Sequence, residues 1–259
     1  MVPPPPRRPS RERSAADRSS SRVAAAQAVG PMVLYGRNAV HEALRGPRTV
    51  RQVWSTERAV REPWLRGAPV QTAPAEEIER RAGSPDHQGV CAEVEPYRYA
   101  DAAELLARED ALIVALDEIQ DPQNLGAICR TAECAGATGV VIPERRSAEV
   151  TPAVCKASAG AVEHLALARV RNLADFLLGA RRVGAWSYGA DGDARTTYTQ
   201  PDYSGKVVLV LGSEGSGLRP RVARSCDELI ALPLHGRIGS LNVSAAAAAL
   251  LYEITRQRS

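Results

Sequence analysis

The 259-residue chain has very few aromatic side chains: one Phe, three Trp and seven Tyr, 4% in all. Binding single-stranded RNA by stacking successive bases on rings needs a richer supply, so that mode is excluded as the main one. Cysteine is also sparse. Cys91, Cys129, Cys134, Cys155 and Cys226 form no C-x-x-C pair and have no histidine pair at ligand spacing beside them, which argues against a zinc site; we expect no metal. An odd count in a chain this long fits reduced thiols better than a disulfide framework. No stretch approaches the ~18 uninterrupted apolar residues of a membrane span. The proline, arginine and serine runs after Met1 lack the apolar core of a secretory signal. The expectation is a soluble cytoplasmic protein with no membrane partner.

Apolar residues reach 44%, enough for a real core, and the length suits two domains. The formal charge of +3 is unevenly placed. Residues 1–30 carry six arginines against Glu12 and Asp17, a net of +4, which leaves −1 for the remainder. The body of the protein is nearly neutral, so contact with nucleic acid would come from local patches. Residues 1–30 show no apolar period and read as a disordered tail, or as a basic arm adding non-specific attraction to phosphates.

Apolar spacing divides the rest of the chain. Residues 33–99 read as a small α/β unit, with strands at Val50–Trp54 and Val90–Val94 and a helix at Ala75–Arg81. Residues 100–110 read as a linker helix. From 111 to 259, apolar runs recur at Ala111–Leu116, Thr138–Ile142, Leu165–Val170, Val183–Ser187, Val207–Leu211 and Leu229–Leu232. Strands apolar throughout and alternating with helices indicate an α/β domain with a mostly parallel sheet covered on both faces. In a last helix from Asn242, the residues Ala247, Leu250, Leu251 and Ile254 form a stripe that must be buried against the sheet or a second subunit.

Three segments of this second unit place polar groups where a strand gives way to a helix, the usual ligand end of a parallel sheet. The first runs from Leu116 to Ala132 and contains Asp121-Pro122-Gln123-Asn124-Leu125-Gly126 and Arg130-Thr131-Ala132. Taken alone, Asn124 reads first as a helix N-cap and Arg130 as a surface charge. The second is a strand running into Gly212-Ser213-Glu214-Gly215-Ser216-Gly217-Leu218. Its G-x-x-G-x-G spacing matches neither the dinucleotide fingerprint nor the P-loop. With no lysine nearby and a glutamate in the turn, a cofactor with a positive centre suits it better than a phosphate. The third joins Asp227–Pro233 through glycines to Ser240-Leu241-Asn242-Val243-Ser244.

In this order the three segments resemble the signature motifs of the SpoU family of RNA ribose 2′-O-methyltransferases, the TrmH-like branch of the SPOUT class. The resemblance covers about residue 111 to Arg258. Tyr35-Gly36-Arg37-Asn38-Ala39-Val40 and His87-Gln88-Gly89-Val90 are similar to the small RNA-binding domain of members that act on rRNA, those modifying a guanosine of 23S rRNA most of all. Cys134, where alanine is more usual, and the alanine run after Ser244 are minor departures.

The resemblance implies a C-terminal trefoil knot, which topology rules alone would have excluded. It also implies S-adenosyl-L-methionine as cofactor and a homodimer formed through the knot and the last helix. Gly212, Leu232 and Leu241 would line the adenosine pocket. Asn124, Arg130, Glu214, Ser240 and Asn242 would form the active site. The implied partner is RNA, 23S rRNA or a ribosome assembly intermediate. For RNA-facing charge the expectation is Arg37 with Arg145, Arg146, Arg219 and Arg221. Rival readings are a tRNA ribose methyltransferase, and a non-catalytic RNA-binding protein expected to lack Asn124, Arg130 or Glu214. A Rossmann-type oxidoreductase fails on glycine spacing.

Overall fold

The computed structural model describes residues 30–259; the Arg-rich segment read as a tail lies outside them, apart from Gly30. The first unit is built from β1 (Met32–Tyr35), α1 (Arg37–Arg45), β2 (Val50–Ser55), β3 (Val70–Thr72), α2 (Ala75–Ala82) and β4 (Val90–Val94). Its sheet has the order β1-β4-β2-β3, antiparallel except for the β2–β3 pair. The short edge strand β3 was not expected: Val70-Gln71-Thr72 is too brief to show an alternation.

A single-turn helix, α3 (Ala102–Leu105), is all that residues 100–110 contribute, in place of the expected linker helix. Asp101 caps it, and Ala100 bridges to Ala168, so the connector adheres to the edge of the next sheet. That second sheet takes β5 (Leu112–Asp117), β6 (Gly139–Pro143), β7 (Ala166–Val170), β8 (Trp186–Ala190), β9 (Thr196–Thr197), β10 (Val207–Gly212) and β11 (Glu228–Ala231). Every pairing in it is parallel, in the order β7-β6-β5-β10-β8-β11-β9. Its helices are α4 (Pro122–Cys134), α5 (Pro152–Ala157), α6 (Leu173–Arg182), α7 (Pro220–Ser225) and α8 (Val243–Arg258).

The chain steps outward from β5 through β6 to β7, then crosses to β8 and later fills the gap with β10. A reversal of this kind opens a crevice at the carboxyl ends of the central strands. β8 begins three residues later than its apolar run suggests. Gly184, at φ 81°, and Ala185 close α6 with hydrogen bonds to Arg181 and Ala180, the paired pattern of a Schellman cap. Val183 and Ala185 therefore belong to a helix end.

The two sheets share one apolar core, in which Leu34 and Val40 of the first unit join Leu125 and Leu167 of the second. A buried ion pair crosses the same junction: Arg48 Nε donates to Glu163 Oε2 at 2.8 Å, and a second bond joins Nη2 to Oε1. Removing either partner would leave an uncompensated buried charge, so the pair ties the units together. The α8 stripe of Ala247, Leu250, Leu251 and Ile254 is buried within the chain, where α8 packs on α4 and β10. Among the described residues no helix is long and apolar enough to cross a membrane.

Candidate active site

The carboxyl ends of β8, β10 and β11 surround a cavity of about 460 Å³. Leu211, Ile230, Leu232 and Leu241 supply apolar wall; Glu214 and Ser240 supply polar groups. Of the residues singled out from sequence, Gly212, Glu214, Leu232, Ser240 and Leu241 line this space.

The glycine turn after β10 folds back on itself. Ser213 N–H donates to the Gly217 carbonyl at 3.1 Å, and Gly217 N–H returns to Ser213 at 2.9 Å. Positive φ falls at Gly215 and Gly217, whereas Gly212 does not have it. Gly212 is needed for another reason: a Cβ there would overlap the Gly217 carbonyl and the Leu218 nitrogen.

Glu214, at the tip of the turn, ties the three motifs together. Its Oε1 accepts from Asn124 Nδ2 at 3.0 Å and from Asn242 Nδ2 at 2.6 Å. Asn242 Nδ2 also donates to Asn124 Oδ1 at 2.9 Å. Both asparagines take definite roles. Asp121, with its side chain accepting from Gln123 N–H, caps α4, which leaves the buried Asn124 amide free for this contact. Asn242 caps α8 with Oδ1, accepting from Ser244 N–H at 2.9 Å, and turns its amide nitrogen to the site. Ser240 is exposed and has no polar partner among the described residues. Arg130 stands apart: it is exposed, lies outside the cavity wall and has no hydrogen-bond or ionic partner among the described residues.

Carboxylates that sequence reading passed over complete the surroundings. Asp191 and Asp193, in the loop after β8, line the cavity beside Glu214. Misplacing β8 hid them, because the loop lies three residues further on than its apolar run suggests. Asp117, at the end of β5, is fully buried and holds Arg219: its Oδ2 accepts from the Arg219 backbone N–H at 2.8 Å, and its Oδ1 from Nε at 2.8 Å. The Arg219 guanidinium also meets Glu118 at 3.2 Å. Arg219, expected as an RNA-facing charge, is thus tethered to Asp117 and Glu118 while its side chain stays 42% exposed. Arg37 pairs with Glu62 and Arg221 with Asp175, so these too are partly engaged; Arg146 contacts Glu118 at 3.5 Å. Burial pushes the Cys155 thiol up to about 12 and raises Cys129 further, so neither supplies a thiolate near α4.

A cavity with an apolar wall on one side, three carboxylates and a turn that admits close backbone approach suits a ligand with flat apolar surface and positive charge. S-adenosylmethionine has both. Residues 111–252 match the SpoU rRNA methylase family, and residues 33–100 match the RNA 2′-O ribose methyltransferase substrate-binding family. The chain belongs to the SpoU family. It is therefore an RNA methyltransferase of the TrmH/SpoU type, a class that uses S-adenosylmethionine. The YacO protein of Bacillus subtilis (strain 168), assigned to the TrmH family of tRNA/rRNA methyltransferases, is 39% identical over 86% of this chain and 95% of its own length. The SpoU methyltransferase AviRb of Streptomyces viridochromogenes, solved with AdoMet, superposes with a TM-score of 0.75 at 27% identity, covering 88% of this chain and 91% of AviRb. An AdoMet-bound rRNA methyltransferase from Sinorhizobium meliloti gives 0.74 at 29% identity, covering 87% of each chain. The SpoU likeness thus takes in both units.

Proposed function

We propose that this chain transfers a methyl group from S-adenosyl-L-methionine to the ribose 2′-hydroxyl of a guanosine in 23S rRNA, free or in a ribosome assembly intermediate. The observation that carries the reading is the hydrogen-bonded meeting of Asn124 and Asn242, from two other motifs, on Glu214, which lines the cavity. A binding protein on the same fold would have no need of that network. The substrate-binding unit at 33–100 supports an RNA substrate, and the likeness of both units to the rRNA methyltransferase of Sinorhizobium meliloti supports rRNA as that substrate.

Bound S-adenosylmethionine supplies an activated methyl group on a cationic sulfur. Leu232 and Leu241, which line the cavity, would cover the faces of its adenine, and Gly212 would let the main chain approach it. Glu214 and its aspartate neighbours favour the ligand's positive charge. Arg130, free of protein partners among the described residues, holds the phosphate beside the target nucleotide and stabilises the ribose oxygen as it gains negative charge. We assign it no role as a base, because a guanidinium offers N–H donors and no acceptor. Asn124 and Asn242 hold Glu214, and the Ser240 hydroxyl orients the ribose.

We take the C-terminal segment, whose β11 lies between β8 and β9, to be threaded into the trefoil knot of the SpoU family. A homodimer through α8 fits the face left outside: Ala245, Ala249 and Tyr252 are exposed at helical spacing, opposite the buried stripe.

An assay with radiolabelled S-adenosylmethionine, offering protein-free 23S rRNA and tRNA separately from a strain lacking the activity, tests the substrate. Label in 23S rRNA is expected. Label in tRNA alone would overturn the role given to residues 33–100 and leave the chemistry standing.

A further inference from the structure

We propose that Asp117 and Arg219 form a positioning clamp that sets the Gly212–Leu218 turn, and through it Glu214 and the cofactor wall. This rests on the methyltransferase reading.

Asp117 is fully buried at the end of a central strand whose other residues, Leu112 to Leu116, are all apolar. A carboxylate there is unfavourable unless fully partnered, so packing alone does not account for it. Its partner is a single residue held in two ways. The Arg219 backbone N–H and Nε each donate at 2.8 Å, and Nη2 lies 2.6 Å from Oδ1. Grasping the main chain as well as the side chain fixes where the chain leaves the turn and enters α7, since Arg219 occupies the cap position.

The opposite end of the turn is fixed beside the same residue: Gly212 is the register partner of Asp117. One carboxylate thus stands at the entry to the turn and grips its exit. Between these points lie Gly215 and Gly217, both at positive φ, so the clamp frames from outside a turn that the Ser213–Gly217 hydrogen bonds and the Asn124 and Asn242 contacts to Glu214 close from within. The hydrogen bond to Asp117 raises the Arg219 pKa, as expected for a group committed to an internal partner. Asp117 does not line the cavity, so it acts through the turn and makes no contact of its own with ligand.

Two variants test the clamp. Arg219→Met removes the fork; Arg219→Lys keeps the charge and the backbone bond. Calorimetric titration with S-adenosylmethionine should show affinity about tenfold weaker for Arg219→Met, the loss expected for a charged hydrogen bond, and partly restored in Arg219→Lys. RNA affinity should stay unchanged, and hydrogen exchange at the Ser213 and Gly217 amides should quicken. Asp117→Asn, which keeps size and one acceptor, gives the same measurements should Arg219→Met fail to fold. Wild-type cofactor affinity with only a lowered melting temperature would overturn the proposal, as would a loss confined to RNA binding. If the unaltered protein itself bound no S-adenosylmethionine, the functional reading would fall. Exchange at the two amides would then decide the clamp alone: faster in the variants supports it, unchanged rejects it.

Discussion

Replacing Arg130 by lysine is expected to lower turnover about a hundredfold, and replacing it by alanine about a thousandfold, the range seen when one preorganised donor is removed from a developing anion. Cofactor affinity should remain that of the unaltered protein in both. The separation follows from placement: Arg130 is exposed, outside the cavity wall, and engaged with no described residue, so nothing around S-adenosylmethionine moves when it is lost. Lysine fails because a point charge cannot reproduce a planar fork bound to phosphate and ribose oxygen together. Single-turnover rates at saturating S-adenosylmethionine, alongside calorimetric affinities, check both halves. Near-normal turnover in Arg130→Lys would show that charge alone suffices, and the positioning role would be wrong.

Gly212→Ala is expected to weaken S-adenosylmethionine binding by about five- to 150-fold, the range set by ~1–3 kcal/mol of overpacking. The added carbon would overlap the Gly217 carbonyl and the Leu218 nitrogen, main-chain atoms that cannot rotate away. The turn would have to open, carrying Glu214 from Asn124 and Asn242. Gly215→Ala is the control, since Gly215 sits at φ 83° with open space around its missing side chain. It should cost only the modest strain of a left-handed alanine. Titration of the two variants compares them directly; equal affinities would show that turn closure is not what makes the cofactor site.

Those two glycines show how far the sequence could be read. The G-x-x-G-x-G spacing after an apolar strand marks a tight turn, and Gly215 and Gly217 take positive φ in it. That Gly212 serves close approach instead depends on the turn folding back, which spacing does not reveal. The central strands were legible because both faces are buried, leaving unbroken apolar runs such as Val207 to Leu211. The edge strands β3 and β9, three and two residues long, carry no period to detect. At β8 an apolar run misled, because Val183 and Ala185 serve a helix cap; the Gly184 after a pair of arginines was the available signal. Asn124 was ambiguous for want of knowing that Asp121 takes the cap. Arg219 looked like any surface arginine, since its partner Asp117 lies 102 residues away.

The most direct test of the central claim is where the methyl group goes. Alkali cleaves RNA only beside a free 2′-hydroxyl, so 23S rRNA labelled by this protein with radioactive S-adenosylmethionine can be hydrolysed and its products sized. The label should appear in an alkali-stable dinucleotide whose 5′ nucleoside is guanosine. Label released in mononucleotides would place the methyl group on a base, and would contradict the ribose chemistry assigned to Arg130 and the Asn124–Glu214–Asn242 site.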